Sequence, residues 1–163
     1  MAKRALYPGN FDPVTSGYMD IIERAARVFD EVVVAVGTNM GKAPLFTAEE
    51  RMQMLKQACS HLPNVVVDSF HDLTVRYAAS RGASVIVRGL RALSDFEFEF
   101  EIALMNRRLD SGIETVFMMP DAEYTYLSSS IVKEVAGFGG SVVGLVPKIV
   151  EEYLDRKFGR LSQ

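Results

Sequence analysis

Short apolar runs alternate along this chain with stretches whose apolar residues recur every three or four positions. Ala5–Tyr7 ends a first strand-like run, and Ile22, Ala25, Ala26 and Phe29 then follow at helical spacing. Val32–Val36 is an unbroken apolar run, mostly valine and closed by Gly37, the pattern of a strand buried on both faces. Thr47-Ala48-Glu49-Glu50 has capping-box spacing and opens a helix running through Leu55, Ala58 and Cys59. Val65–Val67 predicts a third strand, Leu73–Ser80 a helix, and Ser84–Val87 a fourth strand that runs into Arg88-Gly89-Leu90-Arg91. Val116–Met119 predicts a fifth strand and Ser128–Val135 a short helix before Gly137, Gly139 and Gly140. Pro147 opens a last helix with Ile149, Val150, Tyr153, Leu154 and Phe158 on its apolar side.

One segment carries two patterns. Asp95 to Ile102 alternates acidic and apolar residues with period two, as an exposed strand would. Ser94 and Glu97 nevertheless have capping-box spacing, and Ala103 to Arg108 favours a helix, so a helix is expected here. Strands separated by helices imply parallel pairing with right-handed crossovers. The expected fold is therefore α/β, a doubly wound five-stranded parallel sheet with C-terminal helices, in one domain spanning 1–163. Ligands of such sheets bind beyond the carboxyl ends of the strands, at the switch point. The polar, glycine-bearing segments Gly9–Pro13, Gly37–Lys42, Arg88–Arg91 and Pro120–Ser130 all follow strands, so they are expected on one edge.

Composition narrows the partners. Eighteen Lys and Arg against 21 Asp and Glu leave a formal net charge of −3, which argues against a nucleic-acid partner. A bound anion must instead meet a local cluster of positive groups. Cys59 is the only cysteine, so no intrachain disulfide and no Cys/His metal framework can form. No apolar run reaches the roughly 18 residues a membrane span requires, and Met1-Ala2-Lys3-Arg4 leads straight into a strand, so a cytoplasmic protein is expected.

Four stretches could carry chemistry. Tyr7-Pro8-Gly9-Asn10-Phe11-Asp12-Pro13 runs into Thr15-Ser16-Gly17-Tyr18, a strand, turn and helix start that aims backbone N–H groups at one point, as a phosphate chain requires. It is neither a Walker A loop nor a Gly-x-Gly-x-x-Gly dinucleotide loop. A structural turn also explains Gly9 and Gly17, and on spacing alone Phe11 is a packing residue. Arg88 and Arg91 can fork around phosphate oxygens, although a solvated loop would carry the same residues. Lys42 is a loop cation that either stays solvated or neutralises a phosphoryl group. Tyr124-Thr125-Tyr126-Leu127-Ser128-Ser129-Ser130 offers hydroxyls at a helix start, where one serine suffices as a cap. His61 reads as surface, His71 could line the site, and Glu97, Glu99 and Glu101 read first as solvated helix charges.

Taken together, Tyr7-Pro8-Gly9-x-Phe11-Asp12-Pro13, Phe46-Thr47-x-Glu49-Glu50-Arg51, Arg88-Gly89-Leu90-Arg91, Asp95-Phe96-Glu97 and Ser128-Ser129-Ser130 resemble, in order and spacing, the bacterial phosphopantetheine adenylyltransferase family. That family belongs to the nucleotidyltransferase superfamily with a Thr/His-x-Gly-His motif and a Rossmann-like domain. The resemblance implies adenylyl transfer from ATP to 4′-phosphopantetheine, giving dephospho-coenzyme A and pyrophosphate, with Mg²⁺ accompanying ATP, coenzyme A as an end-product ligand and a homohexamer. It puts Asn10, Phe11, Tyr18, Gly89, Leu90, Arg91, Glu99 and Tyr124, Thr125, Tyr126, Leu127, Ser128, Ser129 and Ser130 at the nucleotide. Asn10, Lys42, Thr74 and Arg88 would meet 4′-phosphopantetheine, and Tyr18, Lys42 and Arg91 would act on the transferring phosphate.

Two positions depart from the family pattern. Asn10 stands where Ser or Thr is common, and its amide still donates. Tyr18 stands at the motif histidine. A phenol with a pKa of about 10 can donate at neutral pH but cannot become cationic there, which implies slowed turnover. A nucleotide- or coenzyme-A-binding protein that has lost catalysis, and a related nucleotidyltransferase with another acceptor, stay open as alternatives.

Overall fold

The computed structural model describes residues 2–38 and 43–159, with Leu93 and Ser94 described as backbone only. Five strands, β1 (Arg4–Gly9), β2 (Glu31–Gly37), β3 (Val65–Phe70), β4 (Val85–Gly89) and β5 (Glu114–Met118), form one sheet in the order β3-β2-β1-β4-β5. Every pairing is parallel, with Leu6 opposite Val33 on one side and Ile86 on the other. Six helices connect or cover the strands: α1 (Ser16–Val28), α2 (Ala48–Ala58), α3 (Thr74–Ser80), α4 (Leu93–Leu109), α5 (Ser129–Gly137) and α6 (Lys148–Lys157).

Alternation along the strands divides the core in two. Ala5, Tyr7, Val32, Val34, Val36 and Val87 face one layer, where Ile22 and Ala25 of α1, Met54 and Leu55 of α2, Val132 of α5 and Leu154 of α6 pack. Leu6, Val33, Ala35 and Ile86 face the other, against Val75 and Ala78 of α3. The central strands are buried on both sides, which explains their near-continuous apolar sequence. No helix among the described residues is long and apolar enough to cross a membrane.

The helix starts follow local chemistry. Thr47 and Glu50 form the reciprocal capping box expected of them. Thr15 caps α1 by accepting from the Tyr18 N–H, and Ser128 caps α5 by accepting from the Ile131 N–H. The Ser94–Glu97 box, by contrast, does not open α4. That helix begins at Leu93 with Ala92 as its N-cap and no side-chain cap, which places Ser94 inside the first turn. The period-two segment is helical, and the helix pays for it in exposure: Phe96, Phe98 and Phe100 are 44, 62 and 47 % exposed. Residues spaced by two lie about 200° apart on a helix, so they cannot all reach one neighbouring face.

Cys59 lies at the C-cap of α2 and is buried. Burial, aided by the Glu23 charge, pushes its thiol up to about 12. We therefore expect the folded protein to react with a disulfide reagent at pH 8 on the order of a thousandfold more slowly than the urea-unfolded chain. Equal rates would show Cys59 to be accessible.

Two carboxylates tie stability to pH. Burial raises Asp68, but the Tyr77 hydroxyl, the Ser69 N–H and the Arg81 charge outweigh it and hold it below the usual range. Burial likewise raises Glu50, but Thr47 and Lys157 outweigh it and hold it low. Lowered folded-state values mean that both contributions are present above the unfolded pKa values of about 4 and are lost as pH falls through the folded ones. Urea unfolding from pH 6 to pH 2 should show stability falling below about pH 4, and Glu50→Gln with Asp68→Asn should flatten that fall. An unchanged slope in the double variant would refute the assignment.

Candidate active site

Strand β1 leaves the sheet at Gly9 and the chain turns sharply before entering α1. Phe11 sits in the left-handed region at φ 48° and the Asp12–Pro13 peptide is cis. The turn holds because its side chains are fixed on all sides. The Phe11 ring is fully buried, edge-on to Tyr7 at 5.5 Å and to Tyr18 at 5.2 Å. A Cβ at Gly9 would stand 3.0 Å from that ring, tighter than side chains ordinarily pack, so glycine suits the close approach. The buried Asp12 carboxylate accepts from the Leu45 and Phe46 N–H groups, both at 2.9 Å, and from Lys133 Nζ at 3.0 Å. Arg51, also buried, donates to the carbonyls of Asn10, Phe46 and Thr47. The segment after β2 is thereby anchored to the turn after β1.

Above this turn a cleft opens at the carboxyl ends of β1 and β4, where the strand order reverses. It is lined by Tyr7 to Asn10, Thr15, Gly17, Tyr18 and Ile21, by Arg88, Gly89 and Arg91, by Asp95 and Glu99 of α4, and by Pro120, Tyr124 and Leu127. The N-terminus of α1 has no acidic residue in its first turn, and its partial positive charge favours an anion there.

The two arginines are already held. Arg88 donates from Nε and Nη2 to the two oxygens of Glu99, at 2.8 and 2.7 Å, and from Nη1 to the Pro8 carbonyl at 3.1 Å. Burial alone would lower its pKa, but the bonds to Glu99 outweigh burial and hold it above its usual value. Arg91 donates from Nε and Nη2 to Asp95 and from Nη1 to the Leu127 carbonyl. A guanidinium has five N–H donors, so three bonds apiece leave each arginine two for a ligand. The carboxylates aim the forks and balance their charge.

The structure sorts the residues expected at the site. Asn10, Tyr18, Arg88, Gly89, Arg91, Glu99, Tyr124 and Leu127 converge on the cleft. The Phe11 ring is core, the packing role its spacing suggests, and leaves only backbone for a ligand. Glu99 is corrected from a free helix charge to the bidentate partner of Arg88. Leu90 lies outside the lining and donates its N–H to the Met118 carbonyl. Thr74 begins α3 at the end of β3, also outside the lining. Thr125 turns its hydroxyl to the Ala122 carbonyl, Ser129 to Pro13, and Ser128 caps α5. Tyr126 is 60 % exposed and Ser130 is exposed, neither of them in the lining. Lys42 lies outside the described residues. His71 bonds to the Thr38 carbonyl and is not a lining residue, and His61 pairs with Glu23 on the surface.

Tyr7, Asp12, Arg51 and Lys133 were not identifiable as individual site residues in the sequence. Tyr7 in an apolar strand reads as core, and Asp12 and Lys133 are 121 positions apart.

Comparison with known proteins agrees with this geometry. A family model described as cytidylyltransferase-like matches residues 6–135. A phosphopantetheine adenylyltransferase from Carboxydothermus hydrogenoformans is 54 % identical over 154 residues, covering 94 % of this chain and 95 % of that protein. One from Desulforudis audaxviator is 55 % identical over 157 residues, covering 96 % of each. Among solved structures, a candidate nicotinate-nucleotide adenylyltransferase from Vibrio parahaemolyticus superposes with a TM-score of 0.71 over 99 % of this chain and 98 % of that one. At 18 % identity that likeness speaks for the fold alone. Sharing more than half its residues with those two relatives along nearly the full length of each, and matching the cytidylyltransferase-like model over residues 6–135, the chain belongs to the phosphopantetheine adenylyltransferase family.

Proposed function

We propose that this protein transfers the adenylyl group of ATP to 4′-phosphopantetheine, releasing pyrophosphate and forming dephospho-coenzyme A. The observation that carries the reading is the near full-length identity to relatives of that name, together with a cleft at the sheet's switch point that holds Arg88 and Arg91 beside a helix N-terminus. A phosphate oxygen of the acceptor attacks the α-phosphorus of ATP in line. The bond from that phosphorus to the bridging oxygen breaks, and pyrophosphate leaves with the electron pair. No protein nucleophile takes part, so the chain's work is positioning and charge stabilisation. Arg88 and Asn10 hold the acceptor phosphate. Arg91 and the Tyr18 hydroxyl face the transferring group, the family resemblance assigns Lys42 to it as well, and the α1 N-terminus adds its dipole.

Mg²⁺ enters this reading with the substrate, as MgATP. Coenzyme A, which carries the product's phosphopantetheine arm, is expected to compete with the acceptor.

Self-association to a homohexamer belongs to the same reading. Its support is α4, whose Phe98, Ile102, Met105 and Leu109 stand 62, 37, 56 and 51 % exposed on one chain, an apolar face that a second copy would cover. Light scattering after gel filtration should give the mass of six chains, and a monomer would refute the assembly.

The first test of function is pyrophosphate release from MgATP with 4′-phosphopantetheine, with nicotinate and nicotinamide mononucleotides and glycerol phosphate as rival acceptors. Release with 4′-phosphopantetheine alone supports the reading, and release with a rival only would replace it. Tyr18 sustains a second reading, a protein that binds nucleotide and coenzyme A without turnover. Tight MgATP binding with no release from any acceptor would favour it.

A further inference from the structure

The mechanism above leaves unused a group at the floor of the cleft. Tyr7 is 3 % exposed, and its ring is part of the core, pinned by the edge of Phe11. Its hydroxyl nevertheless reaches the cleft lining and makes no hydrogen bond with any described residue. The ring is core but the oxygen is not sealed in with it, so the hydroxyl is open to a ligand in the cleft. Phenylalanine would fill the same core space without offering that donor. Gly89 stands opposite, where a Cβ would sit at ordinary contact distance, 3.6 Å from the Tyr7 oxygen and 3.5 Å from Ile21.

We propose that the Tyr7 hydroxyl is a phosphate-binding donor of this site, giving its hydrogen bond to a phosphate oxygen of the bound substrates. Three neighbours point to an anion rather than to a base or an amide. Arg88 and Arg91 both act on Tyr7 electrostatically, each with two N–H donors to spare, and the α1 N-terminus lies in the same lining. Burial first, and the Tyr18 phenol after it, push Tyr7 far above its ordinary range, so it remains an O–H donor at every working pH. It is a ligand-binding group in a different position from Tyr18. The Phe11 ring contacts both tyrosines edge-on, so the two phenols reach the cleft from a strand and from a helix.

The inference rests on the adenylyl-transfer reading, and Tyr7→Phe tests it while removing a single oxygen. The expected result is a fall of about ten- to a hundredfold in kcat/KM for pyrophosphate release, with a melting temperature equal to or above the parent's. Calorimetric titrations assign the phosphate. Weaker 4′-phosphopantetheine binding marks the acceptor, weaker MgATP binding the nucleotide, and a loss in kcat alone the transferring group. Kinetics and both dissociation constants within twofold of the parent would overturn the proposal. So would a melting temperature lowered by several degrees, which would make the hydroxyl structural. If the parent itself releases no pyrophosphate, the adenylyl-transfer reading fails separately. The Tyr7 proposal is then judged on MgATP titration alone, where equal affinity of parent and variant overturns it.

Discussion

Replacing Tyr18 with histidine should raise the rate of pyrophosphate release about a hundred- to a thousandfold, the usual worth of one well-placed transition-state donor. Tyr18 lies in the first turn of α1, its N–H bonded to Thr15 and its ring against Phe11, so the side chain is directed over the turn after β1. Among the described residues its hydroxyl has no hydrogen-bond partner, which leaves it free to donate to a phosphate. Two things separate it from an imidazole at the same place. A phenol stays neutral as charge builds on the transferring phosphate, whereas an imidazolium adds a full positive charge. Its oxygen also lies farther from the backbone than an imidazole nitrogen, so the phosphate it meets must sit higher in the cleft. Substrate binding rests mainly on the arginines and should change by less than about threefold. Single-turnover rates with MgATP and 4′-phosphopantetheine, measured for both proteins, decide the matter. A parent as fast as Tyr18→His would show that the phenol is an adequate substitute and sink the prediction.

The second large effect concerns Asp12→Ala, which should lower stability by about 2–5 kcal/mol. The Asp12 carboxylate is the acceptor for two backbone N–H groups, of which Phe46's is buried. Each loses its partner when the side chain goes, at about 1–3 kcal/mol apiece. The ion pair with Lys133 adds less, because the lysine side chain is 33 % exposed and screened by water. Lys133→Met should accordingly cost less than about 1 kcal/mol. The loss should also reach function, since Asp12 is what docks residues 45 and 46, and with them the start of α2, onto the turn that shapes the cleft. Urea unfolding of the two variants measures both numbers. An Asp12→Ala protein within half a kcal/mol of the parent, or a Lys133→Met protein destabilised as much as Asp12→Ala, would show that the energy has been assigned to the wrong bonds.

The sequence by itself determined the elements and their order. A run of valines or a capping box is a local signal, set by the period of the side chains and by the helix's own unpaired N–H groups, and it needs no distant partner. That is why β2, the Thr47–Glu50 box of α2 and the serine cap of α5 stand where the pattern puts them. The alternation of strand and helix further implied a parallel sheet and a ligand edge, and the ordered motifs implied the family. What only the tertiary structure decided is how side chains far apart in the chain meet. Arg88 with Glu99, Asp12 with Phe46 and Lys133, and Arg91 with Leu127 are bonds across 11 to 121 positions, and no local period encodes them. The same holds for burial: Glu99 became buried and the phenylalanines of α4 stayed exposed because neighbouring layers, not the residues' own hydrophobicity, set what each can reach. Tyr7 shows both halves of this division. Its place in an apolar strand is local and legible, while its open hydroxyl is known only once the fold sets it beside Gly89, Arg88 and the start of α1 in one cleft.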